Sequence, residues 1–264
     1  MNLNGLCNVN VELTDMCNKN CWCCGRRKRE KENPAIIKSY GYMPFNLIRI
    51  IAEQLPTGIT TQLHNNGEPL LYPRLGDAIK LFKNQITGLD TNGKLLVKKA
   101  DEIIGNLDTL TISVIENDEE ALEQFHIIKK FLELKGDRKP LVTLRLNGNV
   151  DYTKYEELNT IIAKRILHAP QGSFNYTRQT TIPEMGICLD FLHHLSINKD
   201  GDVSICVRYD PNGLGILGNI RRDSLDELWN SPKRMKWFKL HKQGRRKEIP
   251  LCSFCQFWGV PCGG

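Results

Sequence analysis

The feature that most constrains the fold of this chain is an alternation. Through its first two thirds, short runs of β-forming residues take turns with amphipathic helical stripes. The strand-like runs are Asn8 to Leu13, Thr60 to His64, Ile86 to Asp90, Thr109 to Val114, Leu141 to Leu146 and Arg165 to His168, each short and rich in β-branched or apolar residues. Between them, Ile48, Ile51, Ala52 and Leu55 form one helical stripe, Ala121, Phe125, Ile128 and Leu132 a second, and Tyr155, Leu158 and Ile162 a third. Residues three and four apart share one helix face, so each stripe marks a helix with a side to bury. Strand–helix alternation implies a parallel α/β sheet. The pattern stops near Pro170 after six units, which predicts a partial (β/α)6 barrel rather than the closed eight-unit form. In such folds ligands gather at the C-terminal ends of the strands.

Beyond Gly172 the character changes to short strands, turns and a capped helix. Leu195 to Ile197 and Val203 to Val207, joined through Asn198-Lys199-Asp200-Gly201, predict a β-hairpin with glycine in the turn. Ser224-Leu225-Asp226-Glu227 has the form of a capping box, in which the Ser and Glu side chains satisfy free N–H groups at a helix start. The expectation is two units, a barrel over residues 1–172 and a small α+β region over residues 173–264.

The chain has no apolar run long enough for a membrane span and no secretion signal at its N-terminus, so a cytoplasmic location is expected. In a reducing compartment its ten cysteines are expected to be ligands rather than disulfides. Cys17-x3-Cys21-x2-Cys24 follows directly after the first strand-like run. Three thiolates this close can ligate three irons of a 4Fe-4S cube and leave the fourth open, whereas ferredoxin-type clusters use four cysteines. Zinc is the competing reading, but structural zinc takes four ligands, and no nearby pair completes a zinc spacing. A second set is spaced Cys188-x12-Gly201-x4-Cys206 and Cys252-x2-Cys255. These four thiolates could close a full 4Fe-4S site or hold zinc. Cys7 reads as a small buried core residue.

The net charge of +6 is too small to indicate nucleic acid. Much of it comes from Arg26-Arg27-Lys28-Arg29-Glu30-Lys31, which reads as a solvated loop or, because it follows the cysteines, as a contact for an anionic substrate.

The Cys17, Cys21, Cys24 loop resembles the signature of the radical S-adenosylmethionine (SAM) superfamily, in which a CxxxCxxC loop follows the first barrel strand. Spacing favours Cys24 over Cys23 as the third ligand, and Cys23 stands where the family usually has an aromatic residue beside the cofactor. Asn66-Gly67-Glu68-Pro69 resembles the Gly-Gly-Glu motif that binds the SAM amino group, with Asn66 in place of the first Gly. Thr91-Asn92-Gly93 resembles a segment of members with auxiliary clusters, and Ser113 resembles the polar residue that contacts the SAM ribose or carboxylate. The C-terminal cysteines resemble the auxiliary-cluster regions called SPASM and Twitch, with Cys262 as a spare thiol or alternative fourth ligand. The resemblance implies two 4Fe-4S clusters, one binding SAM and one auxiliary, and an electron donor of flavodoxin or ferredoxin type. It also implies reductive cleavage of SAM to a 5'-deoxyadenosyl radical that takes a hydrogen atom from the substrate.

In length and cysteine spacing the chain resembles the alcohol-oxidising Twitch dehydrogenases of aminoglycoside pathways, which implies a small, carbohydrate-like or anionic substrate and an auxiliary cluster that accepts an electron. Candidate substrate contacts are Arg145, Tyr176, Arg178 and Asp210, each of which could instead be structural. Three other readings compete. One is a maturase acting on a ribosomal peptide, although the sixteen residues before Cys17 leave no room for a leader-binding domain there. Another is an epimerase with Cys23 or Cys262 as hydrogen donor, and the last is an electron carrier with no SAM site.

Overall fold

The computed structural model describes residues 2–165, 167, 187–207, 210, 212–253 and 255. The expected contacts Tyr176 and Arg178, the spare thiol Cys262 and half of the expected strand at 165–168 lie outside them.

Six parallel strands run in chain order: β1 (Asn8–Val11), β2 (Thr60–Gln62), β3 (Ile86–Thr91), β4 (Thr109–Ile115), β5 (Leu141–Asn147) and β6 (Ile161–Arg165). Three more follow, β7 (His194–Ile197), β8 (Asp202–Ser204) and β9 (Ile216–Asn219). All nine form one sheet in the order β6-β5-β4-β3-β2-β1-β7-β8-β9. The helices are α1 (Gly25–Glu32), α2 (Phe45–Gln54), α3 (Leu75–Leu81), α4 (Ala100–Ile103), α5 (Ala121–Lys135), α6 (Thr153–Glu156), α7 (Leu189–His193), α8 (Leu225–Trp229) and α9 (Pro232–Lys242). Crossovers between adjacent parallel strands give the expected half-open (β/α)6 arrangement.

The side-chain period of two sorts each strand into two faces. On β4, Leu110, Ile112 and Val114 are buried, and on β5 so are Val142, Leu144 and Leu146. They join one apolar core with Leu47, Ile48 and Ile51 of α2 and Phe125, Ile128 and Phe131 of α5. Full burial of a Leu, Ile or Phe side chain contributes about 1.5–3 kcal/mol. The alternate residues Thr111, Ser113, Thr143, Arg145 and Asn147 are polar and face the other way, which makes the second face a site rather than a core.

Five expectations need correction. The last barrel strand lies at Ile161–Arg165, earlier than expected, and the third helical stripe contains only the short α6. Asn159, in left-handed conformation with φ of 47°, ends that turn, so Ile162 sits in a strand. The second hairpin strand is shorter than expected, Asp202–Ser204, with a register shift against β9 between Val203 and Ser204. The basic run after Cys24 is helix α1, with Arg26 buried, and not a loop. Cys7 is exposed rather than buried, within 3.9 Å of the His193 Nδ1, because it lies just before β1.

The C-terminal part does not sit apart from the barrel sheet. Strand β7 pairs in parallel with β1, Asn10 opposite Ser196, and the antiparallel β8 and β9 extend that edge. A second, smaller core gathers Cys188, Phe191, Ile205, Trp237, Leu240, Ile249 and Leu251.

Candidate functional site

The loop after β1 is pinned at its start and its middle. The Thr14 hydroxyl donates to Gly41 O at 2.7 Å, and Glu68 N donates to Met16 O at 2.8 Å. Further on, Lys19 pairs with Asp118, and Trp22 Nε1 donates to Glu116 O at 3.0 Å. Cys24 then takes the N-cap position of α1. Cys17, Cys21, Cys23 and Cys24 border one cavity of about 370 Å³ with Gly67, Glu68, Asn92 and Ser113. The fold therefore brings together every residue expected to hold the first cluster and SAM, with Asn66 also on that wall.

Hydrogen bonds explain how the SAM-side residues hold their places. Glu68 is 2% exposed, and its carboxylate accepts from Leu70 N at 3.0 Å, Thr91 Oγ1 at 2.7 Å and Asn92 N at 2.7 Å. Burial raises its pKa against these donors. It therefore clamps the end of β3 to the loop after β2. Asn92 reaches on to the cysteine loop, with its Nδ2 2.8 Å from Asn18 Oδ1 and 3.8 Å from Cys17 Sγ. Asn66 donates through both N and Nδ2 to Glu12 Oε1 at 3.0 Å. Gly67 packs so closely that a Cβ there would lie 2.1 Å from Thr14 O, which is why glycine is required.

The thiols are half-buried and free. Burial pushes the Cys21 thiol up to about 12 and the Cys23 thiol to about 11, with neighbouring cysteines adding to it. Cys17 is also raised by burial, despite Arg26 nearby. Such thiols hold their protons until a metal replaces them. Among the described residues, no three His, Cys, Asp or Glu side chains converge on one point. A cube with one thiolate per iron takes a wider set than a single zinc with Zn–S of about 2.3 Å. Donor chemistry and the shared cavity fit a 4Fe-4S cluster held by Cys17, Cys21 and Cys24.

The other wall of the same cavity is made by strand ends that sequence reasoning did not single out. Asn10, His64, Asp90, Asn147 and Arg165 line it together with the expected Arg145. Each stands on the polar face near the C-terminal end of its strand, a signal already present in the period-two pattern. Arg145 pairs with Asp90, and Asp90 N donates to His64 Nδ1 at 3.0 Å. The Asp90 carboxyl is lowered in pKa by His64 and Arg145, which together outweigh its burial. Burial holds the His64 pKa below its ordinary value, with Asp90 opposing. The result is a charged, hydrogen-bonding floor.

The second set lies at the far end of the sheet. Cys188 caps α7, and Cys206 and Cys252 pack against the small core that contains Cys188. Cys252 and Cys255 are joined by a backbone bond of 3.2 Å, and Arg246 Nη1 donates to both of their carbonyls. Burial, with Cys255 and Cys188 adding to it, pushes the Cys252 thiol up to about 12. Cys188, Cys206 and Cys252 thus share the small core, with Cys255 next to Cys252, and these donors suit a second cluster. Asp210 takes a different place. Its carboxylate accepts from Leu214 N at 2.9 Å and Gly215 N at 2.8 Å, and it borders a separate cavity of about 340 Å³ with Cys206 and Arg26.

Residues 188–256 match the SPASM iron-sulfur cluster-binding domain, a span that contains Cys188, Cys206, Cys252 and Cys255. With the parallel barrel sheet and the Cys17–Cys24 loop, this makes the chain similar to radical SAM proteins that carry a SPASM-type auxiliary-cluster region. Among its relatives is the S-adenosyl-L-methionine-dependent 2-deoxy-scyllo-inosamine dehydrogenase of Niallia circulans, 23% identical over 254 residues, which are 94% of this chain and 91% of the relative. The crystal structure of BtrN in complex with AdoMet and 2-DOIA shares the fold, with a TM-score of 0.65 at 19% identity over 95% of this chain and 92% of that one. Streptococcus suis SuiB bound to precursor peptide SuiA gives a TM-score of 0.58 at 13% identity, over 96% of this chain and 72% of that one.

Proposed function

We propose that this chain is a radical SAM oxidoreductase that converts an alcohol of a small polar molecule to a ketone, with the second cluster accepting an electron. When bound, the first cluster supplies the electron that cleaves SAM and so provides the radical that abstracts hydrogen. In this reading Cys17, Cys21 and Cys24 hold that cluster, and Cys188, Cys206, Cys252 and Cys255 hold the auxiliary one. Asn66, Gly67, Glu68, Asn92 and Ser113 position SAM, with Cys23 beside it. Arg145, Asp90 and His64 orient the substrate through hydrogen bonds and charge, and the sheet behind them excludes water. Residues 173–264 act as the auxiliary-cluster unit. A cytoplasmic setting with a flavodoxin or ferredoxin-type donor suits this chemistry. Among the described residues no helix is long and apolar enough to cross a membrane.

The observation that carries the reading is that one cavity is bordered on one side by the cysteine loop and on the other by His64, Asp90, Arg145 and Asn147. The relatives favour a small substrate, because the inosamine dehydrogenase aligns along nearly its whole length. The test is to reconstitute the chain anaerobically, reduce it, and supply SAM with aminocyclitols that include 2-deoxy-scyllo-inosamine. Formation of 5'-deoxyadenosine with an equal amount of ketone is expected. If turnover requires a peptide, the substrate class is wrong. If solvent deuterium enters the substrate at an inverted carbon, the net reaction is epimerisation. If the protein contains zinc and no sulfide, the radical SAM reading fails altogether.

A further inference from the structure

The side chain of Arg26 is poorly matched to its surroundings in the protein alone. Arg26 is 6% exposed, yet among the described residues its Nε and Nη1 meet no hydrogen-bond acceptor, while Nη2 donates to Glu30 Oε1 at 3.2 Å. Its guanidinium stacks over Tyr40 at 4.4 Å from the ring centroid, which fixes its plane. Buried donors without acceptors are destabilising, so this arrangement asks for a partner that the described residues do not supply.

The helix position sharpens the point. Arg26 lies in the first turn of α1, two residues after Cys24, and that turn has no acidic residue. A helix N-terminus is a positive pole that favours anions. A guanidinium there adds positive charge to positive charge, a combination stabilised only if something anionic lies close by. Arg26 shares a cavity wall with Cys17 and interacts electrostatically with both Cys17 and Cys24. A cluster held by cysteine thiolates is anionic and becomes more so on reduction, and hydrogen bonds to its sulfur atoms raise its potential.

We propose that the free Nε and Nη1 of Arg26 donate to sulfur atoms of the cluster at Cys17, Cys21 and Cys24, and that this guanidinium holds the cluster's reduction potential up. The inference rests on the functional reading above. Arg26 then makes the cluster reducible by an external donor, which is a role toward the cofactor and not toward the substrate. Arg29, which borders the 340 Å³ cavity with Arg26, has no such place beside Cys17.

The test uses the full chain reconstituted with iron and sulfide, following by EPR the reduced signal that changes on addition of SAM. At the potential where the wild-type cluster is half reduced, Arg26→Met is expected to lower the reduced-to-oxidised ratio about tenfold, equal to about 59 mV for one electron. Arg26→Lys, which keeps the charge but loses the fork, is expected to fall between. An unchanged potential in Arg26→Met, with wild-type iron and sulfide content, overturns the proposal. Should Arg26→Met fail to hold a cluster, pulsed EPR of wild-type protein carrying 15N-arginine decides. A 15N coupling to the SAM-responsive cluster that is lost in Arg26→Lys supports the proposal, and no coupling overturns it. If wild-type protein gives no SAM-responsive signal at all, the underlying functional reading has failed instead.

Discussion

At the residue scale, the ion pair on the cavity floor sets up a pH dependence with a definite sign. Asp90 holds its proton less tightly in the folded chain than a free carboxyl does, because His64 and Arg145 stabilise its charge against burial. Below the ordinary carboxylate pKa of about 4, the unfolded chain therefore binds more protons than the folded one. The stabilisation is complete above that value and is lost as pH falls through the folded pKa. Asp90→Asn leaves the buried Arg145 with a neutral neighbour and is expected to lower stability by about 3 kcal/mol at pH 7. Denaturant titrations from pH 7 to pH 3 should also show a shallower acid loss in the variant. An equal acid loss in both proteins would mean that Asp90 does not carry this linkage. Gly67→Ala acts at the same scale by sterics. Its Cβ meets backbone carbonyls of Thr14 and Met16 at 2.1 and 2.7 Å, so the loop has to move. SAM affinity measured by calorimetry should fall at least tenfold, and an unchanged Kd would show that this loop does not position SAM.

At the scale of single elements, the strands and the cysteine loops were legible because their signals are local. Period two in Thr109–Ile115 and Leu141–Asn147 places Ile112 and Leu144 in the core and Ser113 and Arg145 toward the cavity, as alternation requires. His64 and Asp90 could have been found from the same rule, since they stand at the ends of their strand-like runs. They were missed because neither belongs to a recognisable motif. Arg26 was hidden for a different reason. A basic run looks solvated from sequence, and only the packing of α1 against Tyr40 shows that one of its members is buried. The capping box was fully local and formed as expected, with Glu227 N donating to Ser224 Oγ at 3.2 Å and Ser224 N to Glu227 Oε2 at 2.8 Å. Ser224→Ala should therefore cost about 1 kcal/mol in urea denaturation. A cost near zero would show that α8 is held by packing of Leu225, Leu228 and Trp229 alone.

At the scale of the whole molecule, β1 joins what the sequence divides. It pairs with β2 on one side and β7 on the other. The buried Glu12 just beyond it accepts from Asn66 on the SAM side and from Lys199 N in the hairpin turn at 3.3 Å. Trp229 Nε1 donates to Asn4 O at 3.2 Å, and Leu225 N to Gln54 Oε1 at 2.8 Å. Leu195, Ile197, Leu225 and Leu228 belong to the same apolar core as Val9, Val11 and Ile48. A change of composition near residue 172 cannot reveal this, because long-range pairing of β1 with β7 leaves no local mark in either segment. The two cysteine sets thus lie beside one continuous sheet, which fixes their separation as the electron transfer proposed above would require. It follows that the barrel segment alone lacks part of its own core. Residues 1–172 expressed by themselves should expose the β7-facing edge of β1, bind hydrophobic dye and unfold without a cooperative transition. The full chain should lose its circular dichroism and its tryptophan fluorescence at one urea midpoint. Leu195→Ala, at the shared core, should move both midpoints down together by an amount equivalent to about 2–5 kcal/mol. Two separated midpoints in the full chain, or a cooperative transition in the 1–172 fragment, would show that the barrel folds without β7 and that the sheet is not one unit.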